Sequence, residues 1–459
     1  MKFRKESDSL GSVEVPVDAL YGAQTQRAVE NFKISGLRLQ DHFIRALAII
    51  KRFAAVVNGE LGLVEKQVAD LIVAAADEIV DGKHSDQFVV DVFQTGSGTS
   101  TNMNMNEVIA GLANEMHGGR RGSKEPVHPN DHVNLCQSSN DVIPSAINIS
   151  VLILIEKKLE PALGKLHNSL SSKSVEFAGI RKLGRTHLQD AVLMTLGQEF
   201  SAYAAQVERG IERLADVKKQ LLELSLGGTA VGTGINAHPD FAGRVIAMIA
   251  EETGIPFREA KNHFASQASQ DSSASLSGVL NTIGVSLTKI ANDIRWLASG
   301  PRAGLGEISL PALQPGSSIM PGKVNPVIPE AVLQVAAQVT GNDATITAAA
   351  KGGNFELNTM LPLIAYNLIQ SVEILTNASM VFAEKCIDGI TANVEKCNSN
   401  VENSLDIAVK LIPFTGYDRA SEIAKKAYRE GKTVRQVVEE EKLLNDEQMR
   451  EVFQQEGKG

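Results

Sequence analysis

A chain of 459 residues with 43% hydrophobic and 22% charged residues has ordinary globular composition, and its length suits one large elongated unit or two to three packed domains. The net charge of −9, with both signs mixed along the chain, supplies no broad basic surface for a phosphate backbone and excludes nucleic acid as an expected partner. Cys136, Cys386 and Cys397 are odd in number and lack metal-type spacing, which argues against a disulfide framework or a zinc site and fits a reducing, cytoplasmic compartment.

The N-terminal stretch MKFRKESDSLGSVEVP has basic residues but no apolar run behind them, so no export signal is expected. Glycines in TGSGTST, Thr95 to Thr101, mark a loop, and no Gly-Lys-Ser/Thr follows at P-loop spacing. His128-Pro129-Asn130-Asp131-His132 offers two imidazoles and a carboxylate. Nothing nearby completes a zinc set, so a polar turn that meets a ligand is preferred over a metal site. Ser138-Ser139-Asn140-Asp141 has the residue types that cap a helix, and the free N–H groups of such a start also attract anions. Beyond it Leu152, Ile155, Leu159, Leu163 and Leu166 step by three or four along one helical stripe. The most apolar run, Ile147 to Ile155, is interrupted by Asn148 and Ser150 and is far too short to span a bilayer, so no membrane partner is expected.

Thr186-His187 reads as lying near a helix start, ahead of a second stripe at Phe200, Tyr203, Val207, Ile211 and Leu214. The glycine-rich LGGTAVGTG, Leu226 to Gly234, precedes a third stripe at Ile283, Leu287, Ile290, Ile294 and Leu297, whose step of about 3.5 residues suits a bundle seam. The loop LQPGSSIMPGKVNP, Leu313 to Pro326, leads to a fourth at Leu361, Ile364, Leu368 and Leu375. Alternating β-type runs are almost absent and aromatic residues are 5% of the chain, so the fold is expected to be mainly α. The bundle pattern runs from about Asn140 to about Ala392, after a mixed segment and before a polar tail with two short helices separated by Gly431.

The densest chemistry lies between Gly316 and Pro326. Gly316 and Gly322 let several backbone N–H groups converge, Lys323 adds a full positive charge, and together they suit a carboxylate. His187 is a candidate acid or base near neutral pH, and Glu330, following the lysine loop, is positioned in sequence to orient such a ring.

Taken together these segments resemble the fumarase and aspartase superfamily, most closely the class II fumarases, over essentially the full chain. GSSIMPGKVNP is the superfamily's diagnostic stretch, and GSGTSTNMNMNE, HPNDHVN, QSSND, GRTHLQDA and IANDIRWLASGPRAGLGEI accompany it in the expected order. The resemblance implies a mainly α chain of three domains: an N-terminal domain over 1–137, a central helical bundle over 138–392 and a small C-terminal helical domain over 393–459. It implies a homotetramer with a common bundle, each active site being built from segments of three subunits. The implied reaction is the reversible hydration of fumarate to L-malate through a carbanion, a step of the tricarboxylic acid cycle, on a small dicarboxylate with no cofactor and no metal.

By position, the resemblance makes Ser317 the base that takes the proton from C3 of malate and His187 the residue that handles water at C2, with Glu330 holding the ring. Ser97, Gly98, Thr99, Ser138, Ser139, Asn140, Thr186, Ser318, Lys323, Val324 and Asn325 resemble the family's substrate ligands. His128, Pro129, Asn130 and Asp131 resemble a second, noncatalytic dicarboxylate site, although Lys124-Glu125-Pro126 stands just ahead where some relatives have a further basic residue. Aspartate ammonia-lyase is the nearest rival on the same scaffold, and a noncatalytic helical scaffold the more distant one. His128 and Gly322 resemble fumarases, whereas aspartases tend to have asparagine and alanine there.

Overall fold

The computed structural model describes residues 2–453, and the chain is mainly α-helical. An antiparallel pair, β1 (Phe3–Asp8) and β2 (Gly11–Pro16), opens it. The helices α1 (Ala23–Asn31), α2 (Asp41–Glu60), α3 (Lys66–Val80), α4 (Thr99–Met116) and α5 (Ser139–Leu154) follow. A π-type turn at Ile155–Leu159 joins α5 to α6 (Glu160–Glu176). A hairpin of β3 (Arg181–Thr186) and β4 (Gln189–Thr195) precedes α7 (Leu196–Leu221), α8 (Phe241–Thr253), α9 (His263–Ala268), α10 (Asp271–Leu297), α11 (Val327–Ala350) and α12 (Leu361–Lys385). The tail carries α13 (Val394–Asn403), a 3₁₀ segment at Leu405–Leu411, and α14 (Ile412–Thr415), α15 (Tyr417–Glu430), α16 (Val434–Glu440) and α17 (Asp446–Phe453).

Two compact units divide this chain: residues 1–161, 210–284 and 335–376 form the first, and 162–209, 285–334 and 377–459 the second. In the first, α2 buries Phe43, Leu47, Ile50, Ala54 and Val57, a helical step that faces α3, α5 and α8. In the second, Leu411, Ile423, Ala427, Val434, Val437 and Val438 form a separate cluster of buried side chains among the tail helices. Among the described residues no helix is long and apolar enough to cross a membrane.

All five leucine and isoleucine positions of the first stripe are buried, as are the five of the third, so the helical periodicity was correctly read. The position of His187 was not. It lies in the two-residue connection between β3 and β4, and α7 begins only at Leu196. Thr186 pairs with Gln189 across this turn, and His187 (φ 55°) and Leu188 (φ 60°) are both left-handed, the backbone that matches strand twist in a tight hairpin. His-Leu lacks the Asn-Gly chemistry by which such turns are usually recognised.

Candidate active site

Two helix starts meet in the first unit. The α4 N-cap is Gly98 at φ 74°, where an added Cβ would also press to 3.0 Å from Ile143, so glycine is required by conformation and by space. Ser138 caps α5: its Oγ accepts the Asn140 N–H at 3.2 Å, while its own N–H donates to Asp141 Oδ1 at 2.9 Å. Hydroxyls join the two starts, with Ser97 Oγ 2.8 Å from Thr99 Oγ1 and Thr99 Oγ1 2.7 Å from Ser139 Oγ. Asn140 Nδ2 donates to Ala230 O at 2.7 Å, bringing the glycine-rich 226–234 loop to the same place. Two positive helix ends and three hydroxyls form a site suited to an anion.

In the second unit the hairpin tip, Thr186 to Leu188, is exposed, but its base is anchored. Lys182, 1% exposed, pairs with Glu199 of α7 and lies 3.2 Å from Glu307 Oε2. Arg185 Nη2 is 2.6 Å from Glu307 Oε1, which also accepts Asn400 Nδ2 at 3.1 Å. Burial alone would push the Glu307 carboxyl up, but the Arg185 hydrogen bond and the charges of Lys182 and Arg185 outweigh it and hold the group below the usual carboxylate range. Left-handed non-glycine residues cost on the order of 1–3 kcal/mol each and persist where their surroundings determine them. This buried ionic base supplies that determination for His187.

The lysine loop folds back on itself. Gly316 N donates to Lys323 O at 2.7 Å, and a Cβ on Gly316 would lie 2.6 Å from that same oxygen, so no larger residue fits. Asn325 Nδ2 closes the loop on Gly316 O at 2.7 Å. Within it Ser317 Oγ accepts two backbone N–H groups, from Ile319 at 3.2 Å and Met320 at 3.1 Å. Hydrogen bonds donated to an oxygen favour its anionic form, so this arrangement and Lys323 in the same loop act in the direction a serine base needs. Ser318, Lys323 and Val324 are exposed, and Glu330 sits in the first turn of α11. Among the described residues of this single chain, no hydrogen bond joins the His187 ring to Glu330.

His128 caps the π-type turn Pro129–Val133, its Nδ1 accepting from Asn130 N at 3.2 Å and Asp131 N at 3.1 Å. Asp131 Oδ2, 3.3 Å from the same nitrogen, would pair with a protonated Nδ1. We favour the neutral ring, because two N–H groups already point at Nδ1 and burial pushes the imidazole below its ordinary value. Its proton is then on Nε2.

Residues 11–341 match the family described as Lyase, and residues 407–457 match the one described as Fumarase C C-terminus. The chain belongs to the fumarase-type lyase family. It is 53% identical to the class II fumarate hydratase of Nitrosomonas europaea, over 95% of this chain and 94% of that one. The class II fumarate hydratase of Halobacterium salinarum is 54% identical, with 99% and 97% covered. The crystal structure of a class II fumarase from Schistosoma mansoni superposes with a TM-score of 0.93 at 39% identity, covering 99% of this chain and 100% of that one.

Beneath this lyase's α4 and α5 starts lies a buried polar network. Asn134 Oδ1 accepts from Lys51 Nζ at 3.1 Å, Asn102 Nδ2 at 3.0 Å and Asn106 Nδ2 at 3.0 Å, tying α2 and α4 to the segment that leads into Ser138. Asp141 Oδ2 accepts Gly227 N at 3.0 Å and Thr229 N at 2.9 Å, which fixes the 226–234 loop on α5. Burial drives both charged residues toward neutrality, Asp141 up to about 6 and Lys51 down to about 7, each opposed by the charge of the other. The asparagines of TNMNMNE and the aspartate of QSSND were visible in sequence, but Lys51 stands beside Arg52 in an amphipathic helix and reads there as one more surface cation.

Proposed function

We infer that this chain is a fumarate hydratase, a hydro-lyase that reversibly adds water to fumarate to give L-malate. The reading rests on near full-length likeness to class II fumarate hydratases at 53–54% identity. Its substrate is a small dicarboxylate.

For the chemistry we propose that Ser317 Oγ, as alkoxide, takes the C3 proton of malate. The electron pair left on C3 spreads onto the adjacent carboxylate, where Lys323, Asn325 and backbone N–H groups stabilise the added charge; one well-placed donor is commonly worth about 3–4 kcal/mol. The C2–O bond then breaks, and the departing hydroxide takes a proton delivered by His187, leaving fumarate and water. Ser317 and His187 return to their starting states when the first loses a proton and the second regains one. Thr186, Ser97, Gly98, Thr99, Ser138, Ser139, Asn140, Ser318 and Val324 hold the substrate in this reading, and Glu330 orients the imidazole.

We further propose a homotetramer in which each site takes these segments from three chains; the exposure of His187 and Lys323 on their own chain suits such sharing. His128 to Asp131 is proposed as a second dicarboxylate site, its Nε2–H directed away from the two occupied N–H contacts. The division at 137/138 and 392/393 is retained as a proposal, supported at its second boundary by the separate tail cluster. The test is fumarate absorbance with malate or aspartate supplied: fumarate from malate alone supports the reading, and fumarate from aspartate alone makes the chain an ammonia-lyase.

A further inference from the structure

Within the second unit, β4, the end of α6 and the 401–410 segment line a groove of about 710 Å³. Pockets of about 300–1,000 Å³ take metabolite- and drug-sized ligands, and this one exceeds what a four-carbon diacid would fill. Two cations share it. Arg181 opens β3 and Lys410 lies in the Leu405–Leu411 segment. Among the described residues neither side chain makes an ion pair or donates a hydrogen bond, and Arg181 Nε is buried without a partner. Burial first, and then the Arg181 guanidinium, push the Lys410 ammonium below its ordinary value.

Asp406 also lines the groove but forms an ion pair with neither cation. Its carboxyl is pushed up, by burial first and then by Asp190, and no cation draws it down. Arg181 and Lys410 are half-buried, and two unpaired like charges partly withdrawn from water lower stability unless an anion joins them. Apolar side chains complete the walls, among them Leu193, Val401 and Ile407.

We propose that this groove binds an amphipathic organic anion, a carboxylate or phosphate monoester whose charged group bridges Arg181 and Lys410 while its apolar body lies against Leu193, Val401 and Ile407. Its lining includes no residue of the lysine loop or of the His128 turn, and its ligand is bulkier than the substrate.

The full chain is titrated calorimetrically with benzoate and with phenyl phosphate, inorganic phosphate serving as the head group alone. An equilibrium mixture of malate and fumarate keeps the substrate sites filled. One aryl anion should bind once per chain, more tightly than inorganic phosphate, and the two arms distinguish carboxylate from phosphate ligands. Lys410→Met and Arg181→Met should each weaken that binding at least tenfold, and Lys410→Arg should retain it. Without ligand, both methionine variants should melt at or above the wild-type temperature, because each removes a repulsion. Failure of both aryl anions to bind the wild type, or binding untouched by both methionine substitutions, overturns the proposal. So does a lower ligand-free melting temperature in both, which would mean that the cations are held for folding.

Discussion

Arg185 Nη2 lies 2.6 Å from Glu307 Oε1, a contact in which the carboxylate is fully buried and the guanidinium stands two residues before His187 in the sequence. The pair holds β3 one residue before the Thr186–Gln189 pair that closes the turn, while the tip stays exposed. Removing one member of a buried ion pair leaves the other charged and unpaired, at a cost of roughly 3–5 kcal/mol. Glu307→Ala is therefore expected to lower stability by about that amount in chemical denaturation, since it takes the buried partner from Arg185 and leaves Lys182 with Glu199 alone.

The same carboxylate has a pH signature. Because its folded value is held below its unfolded one, the stability it contributes is present above the unfolded value and is lost as pH falls through the folded value. The stability gap between wild type and Glu307→Gln should shrink as pH drops below the ordinary carboxylate range. A gap that is constant through that range would show that Glu307 is not ionised in the folded chain.

Lys51 moves stability in the same direction with pH, but as a penalty that grows rather than as a contribution that is lost. Its folded value, about 7, lies below the unfolded value of 10.5, so the unfolded chain binds more protons between the two, and stability from this group falls as pH decreases from the unfolded value to about 7 and then levels off. Lys51→Met removes that penalty along with the hydrogen bond to Asn134. Relative to wild type, the variant should gain stability between pH 9 and pH 6, read from denaturation midpoints at the two values.

In the proposed mechanism Lys323 stabilises developing charge, and being exposed it adds little to packing. Lys323→Ala should depress both kcat and kcat/KM by about a hundredfold or more, as loss of a group that acts in the transition state does. Its stability should stay within about 0.5 kcal/mol of wild type, the usual range for surface substitutions. Unchanged kinetics with a lower melting temperature would make the residue structural.

How far the sequence carried these conclusions varies with the kind of signal. Helical stripes such as Ile283 to Leu297 were legible because burial on one helix face imposes a local period. Ser138 was legible as a cap because its partner, Asp141, lies three residues away. The β3–β4 hairpin escaped because its turn residues, His187 and Leu188, are atypical, and the conformation is enforced from a distance by Glu307. Glu307 itself stood inside a recognised motif, but a carboxylate reveals its role only when Lys182 and Arg185 are brought to it. Lys51 and the Arg181–Lys410 pair were invisible for the same reason: their significance lies in what surrounds them in space.

Complementation between two inactive variants tests the proposed shared active site most directly. Ser317→Ala and His187→Ala should each be nearly inactive alone. In a randomly mixed tetramer, a site that draws Ser317 from one chain and His187 from another is intact at both with probability one half times one half, so about one quarter of wild-type activity should return. The two variants carry different affinity tags and are co-expressed, and tetramers retained by both tags are assayed for fumarate formation from malate. Recovery near one quarter is the predicted result; doubly tagged tetramers as inactive as their parents would contradict the account, because both residues would then come from the same chain.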